Sequence, residues 1–420
     1  MFKNHLYTFI LISLMMFNSP SAQVDHVGFQ IDVQQLSDKV YRLTHHGFFE
    51  VNSVVYIGED GLLLIDSGYD IGVDVMKNIL NKLAPGKPVK FILTTHDHGD
   101  HFGGNIGFAD AVIIAHEKAL PGLKQEYFAL SGLTPEENLP DILIKDDTSI
   151  FFDGLEFQIR VYPGGHTDND FVVFIPELNI LAMGGLLYSD SFPFVDLNRN
   201  CDVTGMITIY KSLFDWLPEN VMIIAGHGRE YTLGDLRDSY DMLVGSLAVV
   251  EHHSKKGLTR EEMEEQNILG GWASWAETPL GSLSGWLNTT YATLNPPEPT
   301  EAITIGERLT EVLVEGTAEE AVELYQQLKK AAPEDILFRE YDLNMLGYQL
   351  AYRQRYKDAL RILHLNADEY PESANVYDSL GENYLLSGDE EEALIYYKKA
   401  LEVDPEYPSA KAAVERLTGD

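Results

Sequence analysis

The 420-residue chain sets 30 Lys and Arg against 66 Asp and Glu, a formal net charge of −36, and 45% of its residues are hydrophobic. At roughly 150 residues per domain this is a folded, acidic protein of two or three domains, and 34 Gly with 18 Pro exclude collagen-like and wholly disordered chains. So acidic a surface repels phosphate backbones and anionic lipid heads, and without a basic patch it argues against nucleic-acid and membrane-surface binding.

Residues 1–22 join Lys3 to an apolar run of about a dozen residues and then to Ser19-Pro20-Ser21-Ala22, the pattern of an export signal peptide. The run is shorter than the roughly 20 residues that span a bilayer as a helix. Cleavage near Ser21 or Ala22 would leave a periplasmic or secreted protein with no membrane attachment. The single cysteine, Cys201, permits no internal disulfide and reads as a small structural residue.

From about residue 23 to 235, short apolar runs such as GLLLIDSG, KFILTTH, AVIIAH, LEFQIRVY, FVVFIP, NILAMGG and VMIIAGH alternate with turn residues. Candidate helices fall at about 70–83, 104–109, 116–126 and 203–216, so the expectation is α/β, sheets flanked by helices. Residues 236–294 hold one amphipathic helix, SYDMLVGSLAVVEHH, and Trp272, Trp275 and Trp286, which read as a helical cap or tail packed on its own domain rather than a lid. Pro296, Pro297 and Pro299 resist helix continuation, placing a linker at 295–301 between a domain at 23–294 and a region at 302–420.

The last region repeats. Leu346-Gly347 returns as Leu380-Gly381, Ala359-Leu360 as Ala393-Leu394 and Pro371 as Pro405, each 34 residues on. A third, degenerate copy places Ala321, Tyr325 and Pro333 ahead of Ala359, Leu363 and Pro371 by 38 residues. The set Tyr377, Leu380, Gly381, Tyr384, Ala393, Tyr397, Ala400 and Pro405 resembles the tetratricopeptide pattern, which implies an all-α array of helical hairpins stacked over a continuous core. Such an array implies a protein partner or self-association.

The chemistry gathers at three strand ends. His96-Asp97-His98-Gly99-Asp100-His101 packs three imidazoles and two carboxylates into six residues after KFILTT. In an extended segment His96 and His98 project to one side and can chelate one ion, leaving Asp100 and His101 for a second. His166 in Gly165-His166-Thr167 and His227 in Gly226-His227-Gly228 each follow a strand.

With Asp66 in LLLIDSG, these motifs over about residues 30–235 resemble the metallo-β-lactamase superfamily. The resemblance implies an αββα sandwich with metals at one edge between two sheets, followed here by the all-α repeat array. Carried over, His96, His98 and His166 would hold a first Zn2+, tightly, and Asp100, His101 and His227 a second, more weakly, with Asp66 steadying the motif loop behind them. Zinc lowers the pKa of bound water from about 15.7 to near 7 and polarises a carbonyl, so the implied activity is attack of that hydroxide on an amide or ester carbonyl, with Asp100 as the catalytic carboxylate. Tyr188, Asn169 and Asn198 fall on segments that should rim the site, and His45-His46 fall on a loop at its mouth or surface.

One position departs from the pattern. Met183-Gly184-Gly185-Leu186 puts Gly185 where most members supply an Asp or Cys ligand. Gly185→Asp would add a carboxylate bridging both ions if the backbone has room for a Cβ. The alternative reading is an adaptor whose hydrolase domain is degenerate at Gly185 and whose repeats bind a partner. Leu186-Leu187-Tyr188-Ser189-Asp190 offers no cation for a substrate carboxylate, and Arg199 is the nearest basic residue. Lactams, lactones and neutral or weakly charged esters remain as substrates.

Overall fold

The computed structural model describes residues 29–47, 50–124, 139–199, 201–276, 282–296, 303–314, 316–333, 336–405 and 407–418. The segment 1–22, read above as an export signal, and most of the Pro-rich joint lie outside them. Among the described residues, no helix is long and apolar enough to cross a membrane.

Two sheets form the first half. One has seven strands in sequence order: β1 (Gln30–Gln35), β2 (Val40–His46), β3 (Glu50–Ile57), β4 (Leu62–Ile65), β5 (Val89–Thr94), β6 (Val112–His116) and β7 (Ile142–Ile144). The other comprises β8 (Thr148–Phe152), β9 (Leu155–Val161), β10 (Phe171–Ile175), β11 (Ile180–Ala182), β12 (Met222–Ile224) and β13 (Glu230–Tyr231), in spatial order from β13 back to β8. Strands β4 to β7 pair in parallel, as do β11 and β12.

The central strands are apolar at every position because both faces are covered. In β4, Leu62 and Leu64 face the core under the helix Val73–Leu83, which contributes Met76 and Leu80 one turn apart. Leu63 and Ile65 instead face the layer between the sheets, where they meet Phe157, Phe171, Val173 and Ile180. Strand β10 divides the same way, Phe171 and Val173 going inward and Val172 and Phe174 to the outer core. That outer core is closed by the helices Val203–Phe214, Leu233–Lys255 and Leu283–Leu294. The order is helix, sheet, sheet, helix, an αββα sandwich.

The helices start where local chemistry starts them. Asp202 accepts from Gly205 N at 2.7 Å, and Thr232 forms a reciprocal capping box with Asp235. The Trp-bearing region is packing: Trp286 is buried, donates to Ser246 Oγ at 2.9 Å and stacks on Phe192 at 5.0 Å. Trp272 and Trp275 pack against the same core.

The second half is helical apart from a short parallel pairing of Ile303–Thr304 with Ile336–Leu337. The helix pairs Ile305–Leu313 with Ala318–Ala331, Glu340–Tyr352 with Tyr356–Glu369, and Ala374–Leu386 with Glu390–Val403 precede a last helix, Pro408–Thr418. Gly347 and Gly381 occupy equivalent places where the paired helix presses in. A Cβ there would come 2.4 Å from Leu363 and 2.8 Å from Tyr397. Arg355 ties successive hairpins by donating to Leu313 O at 2.6 Å and Gly316 O at 3.0 Å, satisfying carbonyls at a helix end.

The apolar cores of this array share no residue with those of the sandwich. A chain ending at residue 294 is therefore expected to fold and to bind metal, checked by a thermal melt and elemental analysis. An insoluble or metal-free product would show that the array completes the sandwich core.

Candidate metal centre

Five loops converge at one end of the sandwich. Asp66 follows β4, the segment 95–102 follows β5, His166 lies between β9 and β10, Gly184 and Gly185 follow β11, and His227 follows β12. Asn52 of β3 ties the sheets together there, its side chain donating to Ala225 O at 3.0 Å and its backbone N–H to Gly226 O at 2.8 Å.

Two triplets form, His96 with His98 and His166, and Asp100 with His101 and His227. In the first, His166 Nε2 lies 3.2 Å from His96 Nε2 and 3.0 Å from His98 Nδ1. In the second, His101 Nε2 lies 3.2 Å from His227 Nε2, with Asp100 Oδ2 at 3.8 and 3.7 Å from them.

The opposite ring nitrogens fix the tautomers. His166 Nδ1 donates to Phe194 O at 2.8 Å and His227 Nδ1 to Glu50 O at 2.7 Å. His101 Nδ1 donates to Asp66 Oδ2 at 2.7 Å. Thr95 Oγ1 donates to Asp66 Oδ2 at 2.9 Å and so accepts from His96 Nδ1 at 3.0 Å. The nitrogens left facing each other in His96, His166, His101 and His227 carry lone pairs, not protons. Lone pairs at such separations repel unless a cation sits among them, so the donor set fits metal ions.

Burial favours the neutral form of four of the histidines. It pulls His166 and His227 down to about 3 and holds His96 and His98 well below the ordinary imidazole value, neighbouring imidazoles adding to the effect. At His101 burial also pulls down, but Asp100 and Asp66 outweigh it and the net shift is upward. Asp66 sits at φ 60°, in the left-handed region, which points its carboxylate at both Thr95 and His101.

Gly185 stands at the metals. A Cβ on it would lie 2.2 Å from His166 Nε2 and 2.9 Å from His96 Cε1. The room that a carboxylate at 185 would need is taken by the ligands themselves, and this overturns the expectation that Gly185→Asp tightens the second site. Gly184, at φ +52°, is equally confined, its Cβ position 2.3 Å from Thr95 Oγ1.

Other residues fall differently from their sequence reading. His45 is neither at the mouth nor on the surface: it is a strand residue of β2, fully buried, with Nε2 2.9 Å from Ser53 Oγ, and burial pulls it down to about 3. Its partner His46 is the exposed one, between Asp32 and Glu50. Tyr188 does rim the site, its ring stacked 4.1 Å from that of His227. Asn169 is buried and occupied with Asp97, donating to its Oδ1 at 2.9 Å. The side chain of Asn198 lies outside the described residues. Arg199 is engaged with Asp97, at 2.7 and 2.6 Å, and with Asp196. Cys201 is buried, and burial pushes its thiol up to about 12.

Sequence reasoning missed Phe194. Its ring lies 5.7 Å from that of His98 and 5.8 Å from that of His166, forming the apolar wall of the first triplet. An unpatterned FPFV segment gives no signal for that role.

An αββα sandwich with two buried metal-binding triplets at its edge defines a metal-dependent hydrolase. The chain belongs to the metallo-beta-lactamase superfamily, which matches residues 46–268. It is 28% identical to a metallo-beta-lactamase type 2 of Bacillus cereus over 221 residues, 51% of this chain and 82% of that one. To the corresponding protein of Bacteroides fragilis it is 26% identical over 239 residues, 52% of this chain and 88% of that one. Among solved structures, a stereoselective inverting sec-alkylsulfatase from Pseudomonas sp. matches in fold with a TM-score of 0.50 and 15% identity, over 93% of this chain and 66% of that one. That likeness runs through the helical half as well as the sandwich.

Two substitutions test the geometry. Asp66→Asn keeps shape and backbone preference but replaces an acceptor with an N–H2 facing donors, so metal affinity at the second triplet, whose His101 it touches directly, should fall by about 10–100-fold and that at the first, reached only through Thr95, by less. Stepwise chelator titration reads this, and equal losses at both triplets would contradict it. Gly185→Ala should displace His166 and weaken the first triplet, and an unchanged zinc content in elemental analysis would show that the pocket yields at no cost.

Proposed function

We propose that this protein is an exported zinc hydrolase acting on the carbonyl of a small amide or ester, a lactam, lactone or similar substrate. The observation carrying the reading is the pair of triplets with their tautomers fixed so that unprotonated nitrogens converge. His96, His98 and His166 would hold one ion and Asp100, His101 and His227 the other. Zinc held there acidifies a water molecule and polarises the substrate carbonyl.

The chain's own groups do the rest. Asp100, partly exposed beside both histidines of the second triplet, is placed to orient the attacking water and receive its proton. Asp66 and Thr95 hold His101 and His96 against rotation. Phe194 and the Tyr188 ring exclude water from the two sides of the cluster. The hydrophobic export pattern of residues 1–22 supports a periplasmic or secreted location, and the 34-residue helical hairpins support a tetratricopeptide array that engages a protein partner or a second copy.

Removing zinc with a chelator should abolish hydrolysis of a lactam and ester panel and re-addition should restore it. Asp100→Asn should lower kcat by roughly 10²–10⁴-fold. Full-rate turnover by the metal-free protein would refute the assignment.

A further inference from the structure

A cavity of about 320 Å³ lies where the helical array meets the sandwich, within the size range of ligand pockets, about 300–1,000 Å³. Its sandwich side is apolar: Phe192, Phe194 and Trp286. Phe194 is the partition between the cavity and the metal centre, since the ring that lines the cavity also packs on His98 and His166, and its carbonyl holds His166.

The array side is rich in acceptors. Asn344, Asp378 and Glu382 line it, and no Lys, Arg or His does. Three hydroxyl donors around them are already committed: Tyr348 donates to Glu382 Oε2, Ser409 to Asp378 Oδ2, and Tyr407 to Asn375 Oδ1 at 3.1 Å. Asp378 is only 6% exposed, yet its Oδ1 has no hydrogen-bond partner among the described residues, and the buried Asn344 Oδ1 has none among them either. A buried carboxylate oxygen without a donor is costly, by about 1–3 kcal/mol or more. Burial, and then repulsion from Glu382, pushes the Asp378 carboxyl up to about 7. Burial pushes the Glu382 carboxyl up, against the Tyr348 hydroxyl and then Arg416, which does not line the cavity.

Among the described residues an anion finds no cation here, only the neutral donors of the Tyr341 hydroxyl and the Asn344 amide beside two carboxyl groups, and a purely apolar molecule would leave the acceptors unpaired. A primary ammonium carries three donors and no acceptor, and an aliphatic stem behind it suits the aromatic wall. We propose that this cavity binds the ammonium end of a small aliphatic amine, held by Asp378, Glu382 and Asn344. This end belongs to the hydrolase's substrate, so the array supplies one wall of its binding site. The binding rests on the cavity alone, whereas the link to substrate rests on the hydrolase reading above.

The test uses the full-length, zinc-loaded protein. Calorimetry should show n-pentylamine binding at least 10-fold more tightly than n-pentanol, with pentanoate not binding. Asp378→Asn or Glu382→Gln should each remove most of that preference, with an unchanged melt and zinc content showing that the fold is intact. The wild-type comparison of amine with alcohol needs no variant, so a misfolded variant leaves the question decidable. Equal affinity for amine and alcohol overturns the proposal. Kinetically, an ester with an ω-ammonium group on its acyl chain should exceed its des-amino counterpart in kcat/KM by about 10-fold. If both esters turn over equally, the substrate link fails. If neither turns over while pentylamine still binds, the hydrolase reading has failed and the cavity assignment stands.

Discussion

The fold is organised around a repulsion. Nitrogen lone pairs of His96 and His166 stand 3.2 Å apart, and those of His101 and His227 likewise 3.2 Å, each ring's proton being spent at its other nitrogen. Isolated side chains would rotate away. These four rings are held because each is gripped at its far nitrogen, His166 and His227 by the backbone carbonyls Phe194 O and Glu50 O, and His101 and His96 by Asp66 and Thr95. Those carbonyls belong to different sheets' loops, so the cluster exists only where the sheet ends meet. The sandwich is thus less a container for the site than the source of the force that keeps it open to a cation.

The same confinement explains the departure at residue 185. A turn that passes this close to His166 Nε2 admits a side chain only if the imidazole retreats. Gly184 and Gly226 are similarly pressed, the Cβ position of Gly226 lying 2.4 Å from Gly184 O. The missing ligand is therefore a property of a tightly drawn backbone as well as of one residue. The acid that remains for the second triplet is Asp100, backed through His101 by the buried charge of Asp66.

Much of this was legible in the sequence for simple reasons. The buried strands announce themselves as unbroken apolar runs, and the two triplets come from a dense motif and two Gly-flanked histidines at strand ends. Strand β1, QIDVQQ, left no such mark, because only Ile31 of its six residues is buried and its place is set by pairing with β2. The strands β7 and β8 were equally silent, being short and mostly exposed. His45 deceived because it adjoins His46, and alternation along a strand sends one inward and its neighbour outward. Phe194 meets His98 across 96 positions, and the array-side cavity joins residues more than a hundred positions apart, which no local pattern encodes.

The net charge of −36 acquires meaning only when its buried part is separated from the rest. Surface acids are solvated and contribute solubility, but a carboxylate removed from water needs a positive or donating neighbour. Three deeply placed acids show different ways of meeting that need. Asp97 is met by Arg199 and by Asn169, an entirely internal solution. Asp66 is met by Thr95 and His101, and through His101 it charges the second triplet. Asp378 is matched only in part, one oxygen to Ser409 and the other to nothing, in a wall that adjoins the metal centre through a single phenylalanine. In a chain with so many acids to spare, positions where burial is left incompletely compensated mark where something outside the chain completes the balance, at the two triplets by metal and at the cavity by a donor-rich end of a ligand.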